Sequence, residues 1–420
     1  MDISILIYVL LIIAFAKMMG EIVTRFNQPS IVGELLAGIV LGPFLLGEII
    51  PQLQDMYTDT FIQGLADLGM LLLMLYVGME FSPKKLLASS VVGVAIAAVG
   101  VILPFSFGFV AGIYFGLEGV TLIFVSLAMS VTALPITIRI LKDMEVVNTG
   151  TAGKIISAAL ITDLSLLFAM GLVLGEEEIS GTQSTDSFFF LAMGYILFFA
   201  IAIIVGKFFI PHLDKILTWM RTGEAAFAMA IGIAILFAVI ADLVHLPSFV
   251  GAFIAGMILR ETGTRLRVWT RVEDILSGIT LGFMAPIFFV LIGFTVDFQA
   301  VFGNISTLML FISLLSIAIV GKFIGSFIPA KLSGISTNES MAIASMMIAN
   351  GAMELVFANL ALQQGIIGED LFSVLVLMAF VSTILAPILF KHYFNKAACK
   401  GEIYKDGETD TAIEESGSKL

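Results

Sequence analysis

Stretches of about twenty apolar residues follow one another along almost the whole chain, from Ile3 to Phe394. Each is long enough to cross a hydrocarbon core of about 30 Å as a helix. In that medium every backbone N–H and C=O must be paired inside the protein, which leaves only helices or closed barrels. The stretches are too long, and too often broken by Pro and Gly, to be barrel strands of about ten alternating residues. Only 13% of the residues are charged, where soluble domains carry about 25%, and a soluble enzyme is excluded. The chain reads as an all-α integral membrane protein.

We read about thirteen spans, at 3–23, 31–50, 62–80, 87–115, 119–141, 150–175, 187–210, 224–244, 247–260, 275–296, 304–330, 338–363 and 370–394. The first lacks the basic start and small-residue cleavage site of a signal peptide and is expected to be retained. Residues 1–396 form the transmembrane domain, and 397–420 a short polar tail expected to be disordered. One cysteine, Cys399, and three histidines give no disulfide framework and no zinc pattern. No Gly-x-Gly-x-x-Gly run occurs, and neither a cofactor nor a nucleic-acid partner is expected.

The connections sort by sign. One set of ends carries Arg25, Lys84, Lys85, Lys142, Lys215, Arg221, Arg265, Arg267, Arg271, Lys331, Lys391, Lys396 and Lys400. The other carries Asp55, Asp59, Glu118, Glu176, Glu177, Glu178, Asp186, Glu369 and Asp370, with no Lys or Arg. The positive-inside rule makes the first set cytoplasmic. The amino terminus then lies outside and the carboxyl tail inside, which requires an odd number of spans.

The chain also repeats itself. Pro29-Ser30-x-Val32-Gly33-x-x-x-Ala37-Gly38-x-x-Leu41 recurs as Pro247-Ser248-x-Val250-Gly251-x-x-x-Ala255-Gly256-x-x-Leu259, 218 positions later. Tyr76–Phe81 resembles Leu291–Val296 at a spacing of 215, and Ser130–Pro135 falls opposite Ile348–Met353 at 218. Each half would hold six spans, about 1–175 and 224–396, joined by the span at 187–210. Thr132 lies on a span running inward and Asn350 on one running outward, so the two halves have opposite topology. Inverted repeats are characteristic of secondary transporters, in which two similar halves enclose a site near the bilayer midplane.

Asp163 is the sharpest chemical signal, because a carboxylate near the bilayer centre costs several kcal/mol and is rarely there without a role. It either binds a transported ion or, protonated, bonds a neighbouring hydroxyl as structural glue. A hard alkali cation wants oxygen ligands, which Asp163, Thr162, Thr132 and freed backbone carbonyls can supply. Lys322, in Gly321-Lys322, lies well inside the eleventh span. It either pairs with a membrane acid, Asp163 being the obvious partner, or snorkels to the cytoplasmic face. Pro135 and Asn350-Gly351 are expected to break spans five and twelve at matching repeat positions. Two such breaks would cross beside the ion site, their carbonyls and half-helix ends offering partial charges. Glu354 lies just past the second break and Arg139 a turn past the first. They are read as a pair across the crossing or, for Arg139, as a cytoplasmic anchor. Glu34, Asp242 and Glu80 are read as interfacial, and Lys17 as snorkelling inward. Gly33, Ala37 and Gly38 would permit close helix packing.

Several segments carry a family resemblance: Gly33–Pro43, Ser130–Arg139, Thr162-Asp163, Pro286–Gly293 and Gly321-Lys322. Together they resemble the monovalent cation/proton antiporter superfamily, in particular its second branch of sodium/proton and Kef-type potassium/proton systems. The resemblance spans roughly residues 5–395. It implies the sodium/proton antiporter fold of thirteen helices, in two inverted six-helix repeats with two crossed broken helices. It also implies a homodimer and an elevator-type swing of a core domain. Its acidic pair falls on Thr162 and Asp163, and its membrane lysine on Lys322. Many members carry an acid, Asn or Gln where this chain has Thr162, so only one carboxylate remains. The simplest exchange is then one cation for one proton, unless Lys322 also gains and loses a proton. The gated potassium efflux type carries a nucleotide-binding domain that this tail does not resemble, and a separate subunit would have to supply any such regulation.

The expected function is exchange of Na+ or K+ for protons by alternating access, in a cell inner membrane, with no resident metal. A gated potassium efflux channel on the same scaffold is the alternative. A sodium-coupled organic-anion symporter would be expected to show a second sodium-binding carboxylate and a polar substrate pocket, which the sequence does not offer.

Overall fold

The computed structural model describes residues 3–402 apart from 27, 43–45, 51–52, 81–90, 133, 147–148, 180–192, 195–196, 203, 206–222, 245, 264–266 and 351. Every element among the described residues is helical. In chain order they include α1 (Ile3–Thr24), α2 (Ser30–Leu41), α3 (Thr60–Glu80), α4 (Val91–Tyr114), α5 (Gly119–Ala128), α6 (Leu134–Asp143), α7 (Gly150–Ile179) and α8 (Gly223–Leu243). There follow α9 (Ser248–Gly263), α10 (Arg267–Ile279), α11 (Ala285–Phe294), α12 (Ile305–Ser316), α13 (Lys322–Leu332), α14 (Thr337–Met347), α15 (Ala352–Gln363) and α16 (Glu369–Cys399). Eight described helical stretches are long and apolar enough to cross a membrane. The protein is a multi-pass membrane protein, as its apolar runs require.

Two π-helical turns depart from the expected spans. Thr280–Met284 joins α10 to α11, and Ile317–Gly321 joins α12 to α13. Arg267 and Arg271, read as loop charges, lie on helix α10. The connector at 187–210 falls mostly outside the described residues. At the carboxyl end, α16 runs to Cys399, past the expected boundary at 397. Glu402 then accepts hydrogen bonds from Ser336 Oγ (2.6 Å) and from Asn338 Nδ2 (3.0 Å). These donors hold the Glu402 carboxyl below its ordinary range.

The chain divides into two compact units, each drawing on both halves of the sequence. The first comprises Met1–Lys84, Leu167–Gly303 and Val356–Ser373. Its helices are locked by glycines at which a side chain would strike backbone. A Cβ on Gly38 would lie 2.1 Å from the Val290 carbonyl oxygen, and one on Gly293 2.2 Å from that of Leu35. The same crossing is built a second time, where a Cβ on Gly78 would lie 2.1 Å from Phe253 O and one on Gly256 2.3 Å from Leu75 O. Gly38 and Gly256 are equivalent in the repeat, as are Gly78 and Gly293. Helix α2 packs on α11 as α9 packs on α3, a reciprocal arrangement that a twofold relation between the halves produces. Without a hydrophobic drive between helices in lipid, such close backbone approach supplies the packing energy.

The second unit comprises Lys85–Leu166, Asn304–Leu355 and Val374–Leu420. Here α13 lies against α4. A Cβ on Gly325 would lie 2.9 Å from Val99 O, and one on Gly321 3.3 Å from Pro104. The first turn of α14 is capped by Ser336, whose Oγ accepts from Glu339 N at 3.2 Å. The Glu339 carboxylate is held in turn by Thr151 Oγ1 (2.9 Å) and Lys154 Nζ (2.8 Å) at the start of α7.

The glycine crossings predict a sharp contrast. Gly38→Val forces backbones apart and is expected to destabilise by about 1–3 kcal/mol or more. Gly64→Ala meets nothing within 4 Å and should be neutral or stabilising. Thermal unfolding of the detergent-solubilised protein measures both.

Candidate ion-binding site

Two helix breaks form the centre of the second unit. Helix α5 stops at Ala128, and the chain resumes helix at Leu134. Pro135 is thus the second residue of α6, where a missing N–H has no partner to lose. It starts a helix rather than kinking one, and the irregular backbone lies before it. The second break runs from the end of α14 at Met347 to the start of α15 at Ala352. Asn350 lies within it, and Gly351 lies outside the described residues.

The Lys322 side chain, 1% exposed, joins the two breaks. Its Nζ donates to Val131 O in the first and to Asn350 Oδ1 in the second. Carbonyls left unpaired by broken helices need donors at membrane depth, and an ammonium has three. Thr132 Oγ1 donates across the crossing to Met347 O at 3.5 Å. Thr383 Oγ1, on α16, donates to Asn350 O at 2.5 Å.

Asp163, on α7, is buried beside this crossing. Its Oδ2 accepts from the Leu134 N–H at 3.2 Å, the first amide of half-helix α6. Helix amino termini carry unpaired N–H groups and a partial positive charge that favours an anion there. The other oxygen, Oδ1, is buried with no hydrogen-bond partner. The Thr162 hydroxyl is likewise buried and unpartnered. Thr162 directly precedes Asp163 in sequence but sits about 100° away around the helix. The expected direct pairing of Asp163 with Lys322 is not made, because the ammonium is taken by the two breaks. The two remain close enough for their charges to interact.

Glu354, in the first turn of α15, is buried and lies within electrostatic range of Lys322. Arg139 is on α6, but its side chain lies outside the described residues, as does that of Pro135. In the first unit, Glu34 departs from the interfacial reading. It is 4% exposed and paired with Lys17 at 3.2 Å. Lys17 also donates to Leu281 O at 2.6 Å, in the first π turn. The Lys17 side chain, still 42% exposed, is thus tied to both groups while remaining open to the surroundings.

Sequence reasoning missed Thr383, Val131, Lys154 and Glu339. The last two carried a signal, being opposite charges near the ends of predicted spans. Thr383 and the Val131 carbonyl carried none, since their roles depend on where distant segments meet. Among the described residues no cluster of three or more His, Cys, Asp or Glu could hold a resident metal.

A family profile described as sodium/hydrogen exchanger, transmembrane, matches residues 10–396. The chain belongs to this sodium/hydrogen exchanger family. Within it, the chain is 29% identical over 398 residues to the Na(+)/H(+)-K(+) antiporter GerN of Bacillus cereus, covering 94% of this chain and 97% of that one. It is 31% identical over 383 residues to the probable Na(+)/H(+) antiporter GerT of the same organism, covering 91% and 97%. The fold is similar to that of the sodium proton antiporter MjNhaP1 from Methanocaldococcus jannaschii. The TM-score is 0.72 at 17% identity, over 94% of this chain and 98% of that one.

The Lys322 contacts make a prediction about stability. Lys322→Met keeps most of the bulk but leaves Val131 O and Asn350 Oδ1 buried without a donor. At about 1–3 kcal/mol per unsatisfied group, its unfolding temperature should fall further than that of Thr383→Val, which orphans one carbonyl. Thermal scans of both variants test the order.

Proposed function

We propose that this protein is a secondary transporter that exchanges Na+ or K+ for protons by alternating access, with Asp163 as the shared binding group. The observation that carries the reading is the state of that carboxylate. One oxygen is fixed by the amino terminus of α6, and the other is buried and open. A buried carboxylate is costly unless neutralised. A proton on Oδ1 does this, and so does an alkali cation held by Oδ1 with Thr132, Thr162 and break carbonyls as further oxygen ligands. Both cannot occupy the oxygen together, so loading one expels the other. That competition is the coupling an antiporter needs, and the names of the relatives agree with it.

The stoichiometry follows from Lys322. Its ammonium is engaged by acceptors in both breaks, so its proton has a structural task and is not part of the cycle. With Thr162 in place of a second acid, one cation exchanges for one proton and no net charge moves. Presentation of the site to alternate faces, a homodimer, and an inner membrane with the amino terminus outside belong to the same reading.

Two experiments test it. Proteoliposomes holding an internal pH dye receive sodium, potassium or lithium in turn. At least one cation should collapse an imposed pH gradient, and Asp163→Asn, still folded, should not. Exchange that survives in Asp163→Asn sinks the proposed site, and potassium flux uncoupled from protons establishes the channel instead. In the same vesicles, clamping the membrane potential at different values should leave the exchange rate unchanged. A rate that tracks the potential rules out one-for-one exchange.

A further inference from the structure

Asp67 is a charge that the exchange chemistry does not use. It lies seven residues into α3, about 10 Å along the axis from Thr60 at 1.5 Å per residue. Its side chain is exposed rather than packed against other helices. Asp67 faces a cavity of about 350 Å³ in the first unit. Two helices line it with polar side chains one turn apart, Gln63 and Asp67 from α3 and Asn359 and Gln363 from α15. Tyr57 closes one wall, its ring stacked on Phe294 at 5.5 Å. Gln63 Nε2 donates to Tyr57 O at 2.9 Å, which fixes that amide. No Lys or Arg is among the lining residues. Glu369 lies close enough to Tyr57 for its charge to be felt there. The cavity is at the end of α3 flanked by Asp55 and Asp59, where the sequence places no basic residue in any connection.

We propose that this cavity is a recruiting site for hydrated monovalent cations, with Asp67 as its charge and the Asn359 and Gln363 amides as neutral oxygen donors. A single carboxylate among amides suits a hard cation that keeps its water. The volume leaves space for about ten waters at roughly 30 Å³ each. An acid in a walled cleft focuses the field and raises the local cation concentration, where a basic lining would repel it. The inference rests on the exchange reading but concerns a different residue and a different observable.

The test is the cation KM measured from each face separately, in right-side-out and everted vesicles at low ionic strength. Asp67→Asn should raise KM from the acidic-loop face by roughly three- to tenfold and change KM from the opposite face by less. Asp67→Glu should restore it, and Asn359→Asp, which adds an acid to the cavity, should lower it. Choline chloride, which screens without being transported, should erase the difference between wild type and Asp67→Asn. An unchanged KM, or an equal rise from both faces, overturns the recruiting role while leaving exchange at Asp163 intact. If the wild type moves no protons with any cation, the exchange reading falls and this inference with it.

Discussion

The Lys322 ammonium holds together what the rest of the second unit is built around. Two helices stop inside the second unit, and each break leaves carbonyls buried away from water. An unsatisfied backbone group there costs several kcal/mol. Lys322 meets one acceptor from each break at once. The crossing is therefore a single bonded object, to which Thr132 and Thr383 add hydroxyl donors. The environment of Lys322 is arranged to suit. The π turn at Ile317–Gly321 delivers it, and the close contact of Gly325 with Val99 seats its helix against α4. Asp163 gains from this indirectly. With the ammonium held elsewhere, its free oxygen stays open, and its other oxygen is pinned by α6.

Much of this was legible in the sequence because it depends on local pattern. Apolar runs dictated helices, the 218-residue repeat paired distant segments, and both breaks were legible from Pro135 and Asn350-Gly351. What was not legible depends on long-range geometry. Pro135 was read as a break within span five; which side of it the irregular backbone takes was not legible, because the same residue suits a first turn as well as it spoils an interior. Glu34 lies a turn inside its helix, and nothing local says that Lys17 from another helix would reach it. Lys322 was expected to pair with an acid. A neutral amide and a carbonyl served instead, since they are the groups left unsatisfied by the breaks.

The glycines make a related point about how the first unit is held. Polar bonds tie the crossing together, but the α2–α11 and α3–α9 contacts depend on the absence of side chains. At four repeat-related positions a single Cβ would lie within 2.4 Å of a carbonyl oxygen. Close backbone approach of this kind is insensitive to charge and water. The two units thus use different physics, one steric and one electrostatic, and each is suited to the residues it contains.

The balance of charge at the crossing gives the proposed exchange its rule of motion. Lys322 and Glu354 lie within range of each other, and the proposed exchange leaves the protonation of both unchanged. Asp163 is then the charge whose neutralisation varies. With a proton or a cation on Oδ1 the group is compensated. With neither, an ionised carboxylate remains in a low-dielectric interior, where the effective penalty is several kcal/mol. In the proposed cycle an occupied site reorients at little electrostatic cost, and an empty one does not. Either ion satisfies the requirement, but never both together, so movement of one kind in one direction obliges movement of the other kind back. Coupling of this sort needs no dedicated gate. It requires one buried carboxylate with one open oxygen, and a lysine kept away from that oxygen by the two broken helices.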